Sequence, residues 1–194
     1  MKRTGVLVIL AIVVILGFLG CNGYNGVISQ DENVKKSWNN VQSDYQKRSD
    51  LVPQLVNTVK GVANFEQKTL TDVIEARAKA TSVNLKAEDL TPENMAKFQA
   101  AQDQLKGSLS RLLVVAEQYP QLKATENFTK LQGQLEGIEN DVKTSRNAFN
   151  EAINTYNVKV RSFPMNMLAG IFGFKSKEGF KAEAGSEKAP EVKF

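Results

Sequence analysis

Five charged residues sit in or beside positions that an apolar helix seam would normally fill: Arg48, Arg77, Glu117, Glu139 and Arg146. Buried charge needs a partner. The chemistry open to this set is therefore ion pairing inside a helical core, which fixes register more than it adds stability. Solvated rim charges and, after them, a ligand site are the other possibilities. General acid–base catalysis is not supported, because no pair of carboxylates is spaced to share that work. Asparagines form the other pattern. Asn140, Asn147, Asn150, Asn154 and Asn157 are spaced 7, 3, 4 and 3, so they share a face flanking the seam. Their amides are placed to bond across helices, to face a protein partner, or to stay solvated.

What is missing narrows the chemistry further. The chain of 194 residues has no His, which removes His-based catalysis and most transition-metal sites. Its single Cys, Cys21, allows no intramolecular disulfide. No nucleophile motif appears, so a hydrolase or lytic enzyme is disfavoured. The 25 Lys and Arg are interspersed with 21 Asp and Glu, and no basic stripe suited to nucleic acid stands out. No catalytic residue, metal ligand or cofactor-binding set is expected.

Four helices must position these side chains. Val27, Val34, Trp38, Val41, Tyr45, Val52, Leu55 and Val59 are spaced 7, 4, 3, 4, 7, 3 and 4, an a/d seam in which Arg48 takes the skipped slot. Ser49 or Asp50 as a cap, with Pro53 in a first turn, predicts a break at 49–53 and helices over 26–48 and 51–82. A second candidate break lies at 61–64, where Gly61 could end a helix and Asn64 with Gln67 could form a capping box. Because the heptad phase runs unbroken through Pro53, one kinked helix is a third possibility.

Residues 82–91 read as a loop. Thr91 as N-cap and Pro92 as the first helical residue start the third helix. Its seam is Met95, Phe98, Leu105, Leu109, Leu112 and Ala116, and Tyr119-Pro120 stops it. The fourth seam runs Phe128, Leu131, Leu135, Ile138, Val142, Phe149, Ile153, Tyr156, Val160 and Phe163. No stretch alternates as a strand would. The expected fold is all-α, an antiparallel up-and-down four-helix bundle with short connections, preceded by an N-terminal membrane anchor.

That anchor is residues 1–28. Lys2-Arg3 precedes an apolar run over 6–19, the pattern of a signal peptide or signal anchor. The run alone falls short of the roughly 30 Å hydrocarbon core, and continuing the helix to Ile28 reaches the required length. Tyr24 suits the interface there. Gly20-Cys21 also resembles a lipobox, in which Cys21 would be acylated and become the mature N-terminus. Both anchors place the N-terminus inside and the main domain outside the cytoplasmic membrane. Residues 29–163 would then be the bundle. Residues 164–181 form an apolar and aromatic segment packing on it, with the bilayer surface or a partner as alternatives. Residues 182–194 read as a disordered tail.

The chain also resembles the LemA family of bacterial proteins. Tyr24-Asn25 follows the apolar run. Lys47-Arg48-Ser49-Asp50-Leu51-Val52-Pro53-Gln54-Leu55-Val56, with Thr58-Val59-Lys60-Gly61, looks like the family's central signature. Ala76-Arg77, Glu117-Gln118-Tyr119-Pro120-Gln121-Leu122-Lys123, Arg146, Phe149-Asn150, Tyr156-Asn157, Phe163-Pro164 and Gly173-Phe174 through Phe180 recur in order. The resemblance implies a membrane-anchored helical bundle and no enzyme activity, since the family has no established reaction. Gly20-Cys21 departs from the plain transmembrane anchor the family would suggest. The function expected is that of a non-enzymatic envelope scaffold or adaptor for protein partners. The alternative is a sensor or ligand-binding module using a polar pocket between helices.

Overall fold

The computed structural model describes the backbone of residues 2–62 and 65–181, with side chains from Gly20 onward and, before that, at Gly5, Leu7 and Leu10. Three expectations lie outside the described residues: the apolar side chains of the anchor, the capping role of Asn64, and the disordered tail over 182–194. All secondary structure among the described residues is helical. The elements are α1 (Lys2–Lys60), α2 (Gln67–Ser82), α3 (Pro92–Ala116), α4 (Pro120–Lys123), α5 (Glu126–Arg161) and α6 (Met165–Leu168), with one 3-10 turn at Ala87–Asp89 before α3. Among the described residues no helix is long and apolar enough to cross a membrane.

The expected break at 49–53 does not occur. Helix α1 runs through Pro53 without interruption, and the chain leaves the helix only after Lys60. Proline has no N–H to donate to the carbonyl four residues back, so the Ser49 carbonyl loses its usual helical donor. Arg77 of α2 replaces it, donating from Nε to Ser49 O at 2.8 Å. Ser49 is buried, so an unmet carbonyl there would be costly. The repair comes from a different helix, which is why local signals favoured a stop. At the other end of the connection Glu66 occupies the N-cap of α2 without a side-chain cap bond. Helix α3 starts as its spacing predicts: Thr91 Oγ1 accepts from Asn94 N at 3.2 Å, with Pro92 in the first turn.

Helices α1 and α5 run antiparallel and form the spine of the molecule. Gly26 meets Lys159, Trp38 stacks near Phe149, and Arg48 reaches Glu139, so numbering rises along one helix as it falls along the other. Helices α2 and α3 pack on one end of this spine. The buried side chains fall into two apolar clusters. One holds Leu51, Val52, Leu55 and Val59 of α1 with α2, the C-terminal part of α3, and Phe128, Leu131 and Leu135 of α5. The other holds Val27 to Tyr45 of α1, Met95 and Phe98 of α3, and Val142 onward of α5. Trp38 anchors it, completely buried and donating from Nε1 to Leu85 O at 2.9 Å. Each fully buried large apolar side chain contributes roughly 1.5–3 kcal/mol.

After α6 the chain reverses at Gly173, whose φ of 77° is in the left-handed region that glycine adopts without Cβ strain. Phe174 N donates to Ala169 O at 2.9 Å across this turn. Residues 174–181 then run back along α5, and Phe180 inserts between Trp38, Phe98 and Phe149 with ring separations of 6.2, 6.5 and 5.7 Å.

Candidate functional site: a basic groove beside an amide-held tail

Between the two apolar clusters lies a polar layer, and its residues fill the gaps in three seams. In α1 the gap between Tyr45 and Val52 holds Arg48. In α3 the gap between Phe98 and Leu105 holds Gln102. In α5 the gap between Val142 and Phe149 holds Ser145 beside Arg146. Arg48 is 2% exposed. Its Nη1 donates to Glu139 Oε1 at 2.9 Å, and its Nη2 donates to Gln102 Oε1 at 2.7 Å and Gln102 O at 3.2 Å. The guanidinium carbon stands 4.8 Å from the Tyr45 ring centre. The Arg48 Nε–H has no acceptor.

One open-sided groove of about 580 Å³ adjoins this layer. Its floor is Tyr45, Arg48 and Val142, its walls are Asp103 and Lys106 of α3 against Glu139, Lys143, Arg146 and Asn147 of α5, and Phe180 with Lys181 closes one end. Five cations face two carboxylates. One carboxylate, Glu139, is already engaged by Arg48. The half-buried Arg146 lies with its guanidinium 4.5 Å from the Phe180 ring centre. Burial pushes the Tyr45 phenol above its ordinary value, partly countered by Arg146 and Arg48, so the floor presents a neutral hydroxyl.

The structure therefore brings three of the five seam charges, Arg48, Glu139 and Arg146, to one groove. Arg77 is engaged elsewhere, at Ser49. Glu117 does not enter the core: α3 ends at Ala116, and Glu117 is its exposed C-cap, its backbone N–H donating back to Leu113 O and Val114 O. Gln102, Tyr45, Lys143 and Lys181 were not anticipated. The seam gap at Gln102 was the available signal for the first of them.

The asparagine stripe has divided duties. Asn150 brackets Phe180: its Nδ2 donates to Phe180 O at 3.1 Å, and Phe180 N donates to its Oδ1 at 2.8 Å. Asn157 brackets Lys177 identically, at 2.9 and 2.8 Å. Seven helical residues rise about 10.5 Å, and three extended residues span about 10 Å. The amide spacing thus matches an extended chain running antiparallel to the helix. A Cβ at Gly179 would collide with Asn150 Oδ1, so glycine is required for this approach. Asn154 and Asn147 are exposed, and Asn140 and Asn147 stand at the groove wall. A further clasp comes from Lys177 Nζ, 2.7 Å from Asp31 Oδ1. Burial raises the Asp31 carboxyl, but the bonds from Lys177 and Lys35 outweigh it and hold it below its ordinary value.

A model of the LemA family matches residues 37–194, which includes the groove, the amide stripe and the tail. The chain belongs to the LemA family. Protein LemA of Metamycoplasma hominis is 21% identical over 148 residues, 76% of this chain and 64% of that protein. Magnetosome protein MamQ 2 of Paramagnetospirillum magneticum is 34% identical over 80 residues, 41% of this chain and 29% of that protein. Magnetosome protein MamQ of Magnetospirillum gryphiswaldense is 34% identical over 73 residues, 38% of this chain and 27% of that protein. This LemA-family chain thus spans less than a third of the magnetosome relatives it matches. Among its described residues no group of three or more metal-ligating side chains is gathered.

Proposed function

We propose that this protein is a non-enzymatic, membrane-tethered helical scaffold for protein partners, with its four long helices acting as one antiparallel up-and-down bundle outside the cytoplasmic membrane. The carrying observation is an apolar ledge at one end of the molecule. Phe163, Met167, Ile171 and Phe172 are 79, 69, 78 and 46% exposed. They surround α6, and α6 packs on α1 where the apolar run of the sequence feeds into it: Leu168 lies against Gly20 and Met165 against Gly23. A cluster of exposed aromatic and aliphatic side chains marks an interaction surface. Placed at the exit of an apolar helical run, it suits the interfacial zone of a bilayer, where Tyr24, edge-on to Phe172 at 5.1 Å, also belongs. The magnetosome relatives, named for a cellular structure and not for a reaction, support a structural role.

The tether is a transmembrane α1 or an acyl chain on Cys21, which is free and exposed. Mass measurement of the mature N-terminus separates the two, since one leaves Met1 intact and the other begins with an acylated Cys21. The scaffold reading is tested by crosslinking in native membranes: recovery of the same partner set by the full chain and its loss on replacing exposed surface residues supports it. Release of the chain by alkaline carbonate, with no crosslinked partner, would overturn it. The groove favours a second reading, a sensor or ligand-binding module using a polar pocket between helices.

A further inference from the structure

We propose that the groove between α3 and α5 binds a small organic or inorganic polyanion bearing carboxylate or phosphate groups. The proposal rests on the ligand-binding reading above and is independent of how the chain is tethered. Size comes first: about 580 Å³ falls within the range of small-molecule sites. Charge comes second. Five cations line the groove against two carboxylates, and counting Glu178, which reaches Lys181 at 3.5 Å, still leaves a net positive charge over a partly desolvated floor, where ionic attraction is stronger than in bulk water.

Geometry comes third. The Arg146 guanidinium lies over the Phe180 ring, its central carbon 4.5 Å from the ring centre. A planar guanidinium fixed by a ring is preorganised for two parallel bonds to one oxyanion. Arg48 is 2% exposed and its buried Nε–H has no protein acceptor, a rare condition in a folded protein that an anion in the adjoining groove would relieve. The amides of Asn140 and Asn147 on the wall supply neutral donors that orient without adding charge.

The site also depends on the docked tail. Phe180 supports Arg146 and is itself held by Asn150. An anion held by Arg146 is therefore bound more tightly with the tail docked, and by reciprocity it favours the docked tail. This links occupancy of the groove to order in residues 174–181.

The test uses the full chain in detergent micelles or nanodiscs, titrated calorimetrically with citrate and, separately, pyrophosphate, with NaCl adjusted to constant ionic strength. The expected result is saturable one-site binding of at least one of them, which identifies the preferred oxyanion. Arg146→Gln weakens it by ten-fold or more, the loss of a charge-assisted bidentate contact, with partial recovery in Arg146→Lys. The exposed Lys130→Gln leaves it unchanged. The same ligand slows hydrogen exchange in 174–181. Heats that follow ionic strength alone, equal binding by folded Arg146→Gln, or binding of a Glu-rich peptide with neither small anion bound would each overturn the proposal. None of these outcomes bears on membrane tethering or on partner crosslinking.

Discussion

Arg77 is expected to be worth far more than its half-buried position suggests, because it repairs a defect made by Pro53. The perturbation is Arg77→Met, which keeps the aliphatic stem and removes the donor at 2.8 Å from Ser49 O. Ser49 is 2% exposed, so its carbonyl would be left buried and unmet, at about 1–3 kcal/mol. The Pro53→Ala change supplies an N–H to that same carbonyl. In its background the loss of Arg77 should cost little, and the two changes should couple by about 1–2 kcal/mol. Urea unfolding of the full chain in mild detergent, followed by Trp38 fluorescence, measures all four corners of the cycle through shifts in midpoint at constant slope. Arg111→Met, exposed on α3, is the control. Additivity within about 0.5 kcal/mol, or an Arg77→Met effect no larger than the control, would refute the account of why α1 passes through Pro53.

Asn150→Ala removes both bonds to Phe180 and should loosen the tail by about 2 kcal/mol, at roughly 1 kcal/mol per hydrogen bond; exchange in 174–181 accelerates accordingly, while the same change at exposed Asn154 leaves it unaltered. Gly179→Ala should release the tail as well, since its Cβ meets Asn150 Oδ1, and exchange mass spectrometry of that segment reads it directly. Arg48→Met strands Gln102 and Glu139 and should lower stability by about 3 kcal/mol, toward the low end for a broken buried pair because Glu139 is 30% exposed; an unchanged unfolding midpoint would contradict this. Asp31 has a folded value below its ordinary 3.8, so its clasp on Lys177 is fully present above about 4 and is lost as pH falls through the lower folded value. Trp38 emission, which senses Phe180, should stay flat at neutral and mildly acidic pH and shift only below that point, with the acid-dependent part absent in Asp31→Asn.

How much of this was legible in the sequence depended on whether a residue's partner was local. The seam of α5 up to Val160 and the Thr91 cap with Pro92 were readable, because periodicity and capping operate within one helix; Phe163, expected as the last seam residue, lies past the end of α5 and is 79% exposed. Pro53 was misread, because its missing donor is replaced by a side chain in the next helix, and no local pattern encodes that. Glu117 looked like a seam residue only because the spacing was continued one step past the end of α3. Arg48 with Glu139 could be placed near a common layer, yet Gln102, the neutral member, passed as an ordinary polar residue in a seam gap. The asparagine face was visible at once. Its target was not, because Asn150 and Asn157 grip backbone atoms, and a peptide group leaves no mark in the identity of the residue gripped. Only Gly179, required for close approach, hints at it.

Helix α1 finally sets a height. Between Gly20, against which α6 rests, and Lys60 it climbs about 60 Å at 1.5 Å per residue, without a joint, since Pro53 is bridged. The far end, where Phe65 stacks on Tyr119 at 5.0 Å, is therefore carried at a fixed elevation above the apolar ledge. Because α5 is locked antiparallel along the same length, elevation is a property of the pair. Deleting one heptad from α1 alone would slip every contact past Arg48 out of register, whereas removing matched heptads from both helices would lower the far end by about 10.5 Å and keep its facing. A partner that must be met at a given distance would read that change as a step down on a measuring staff.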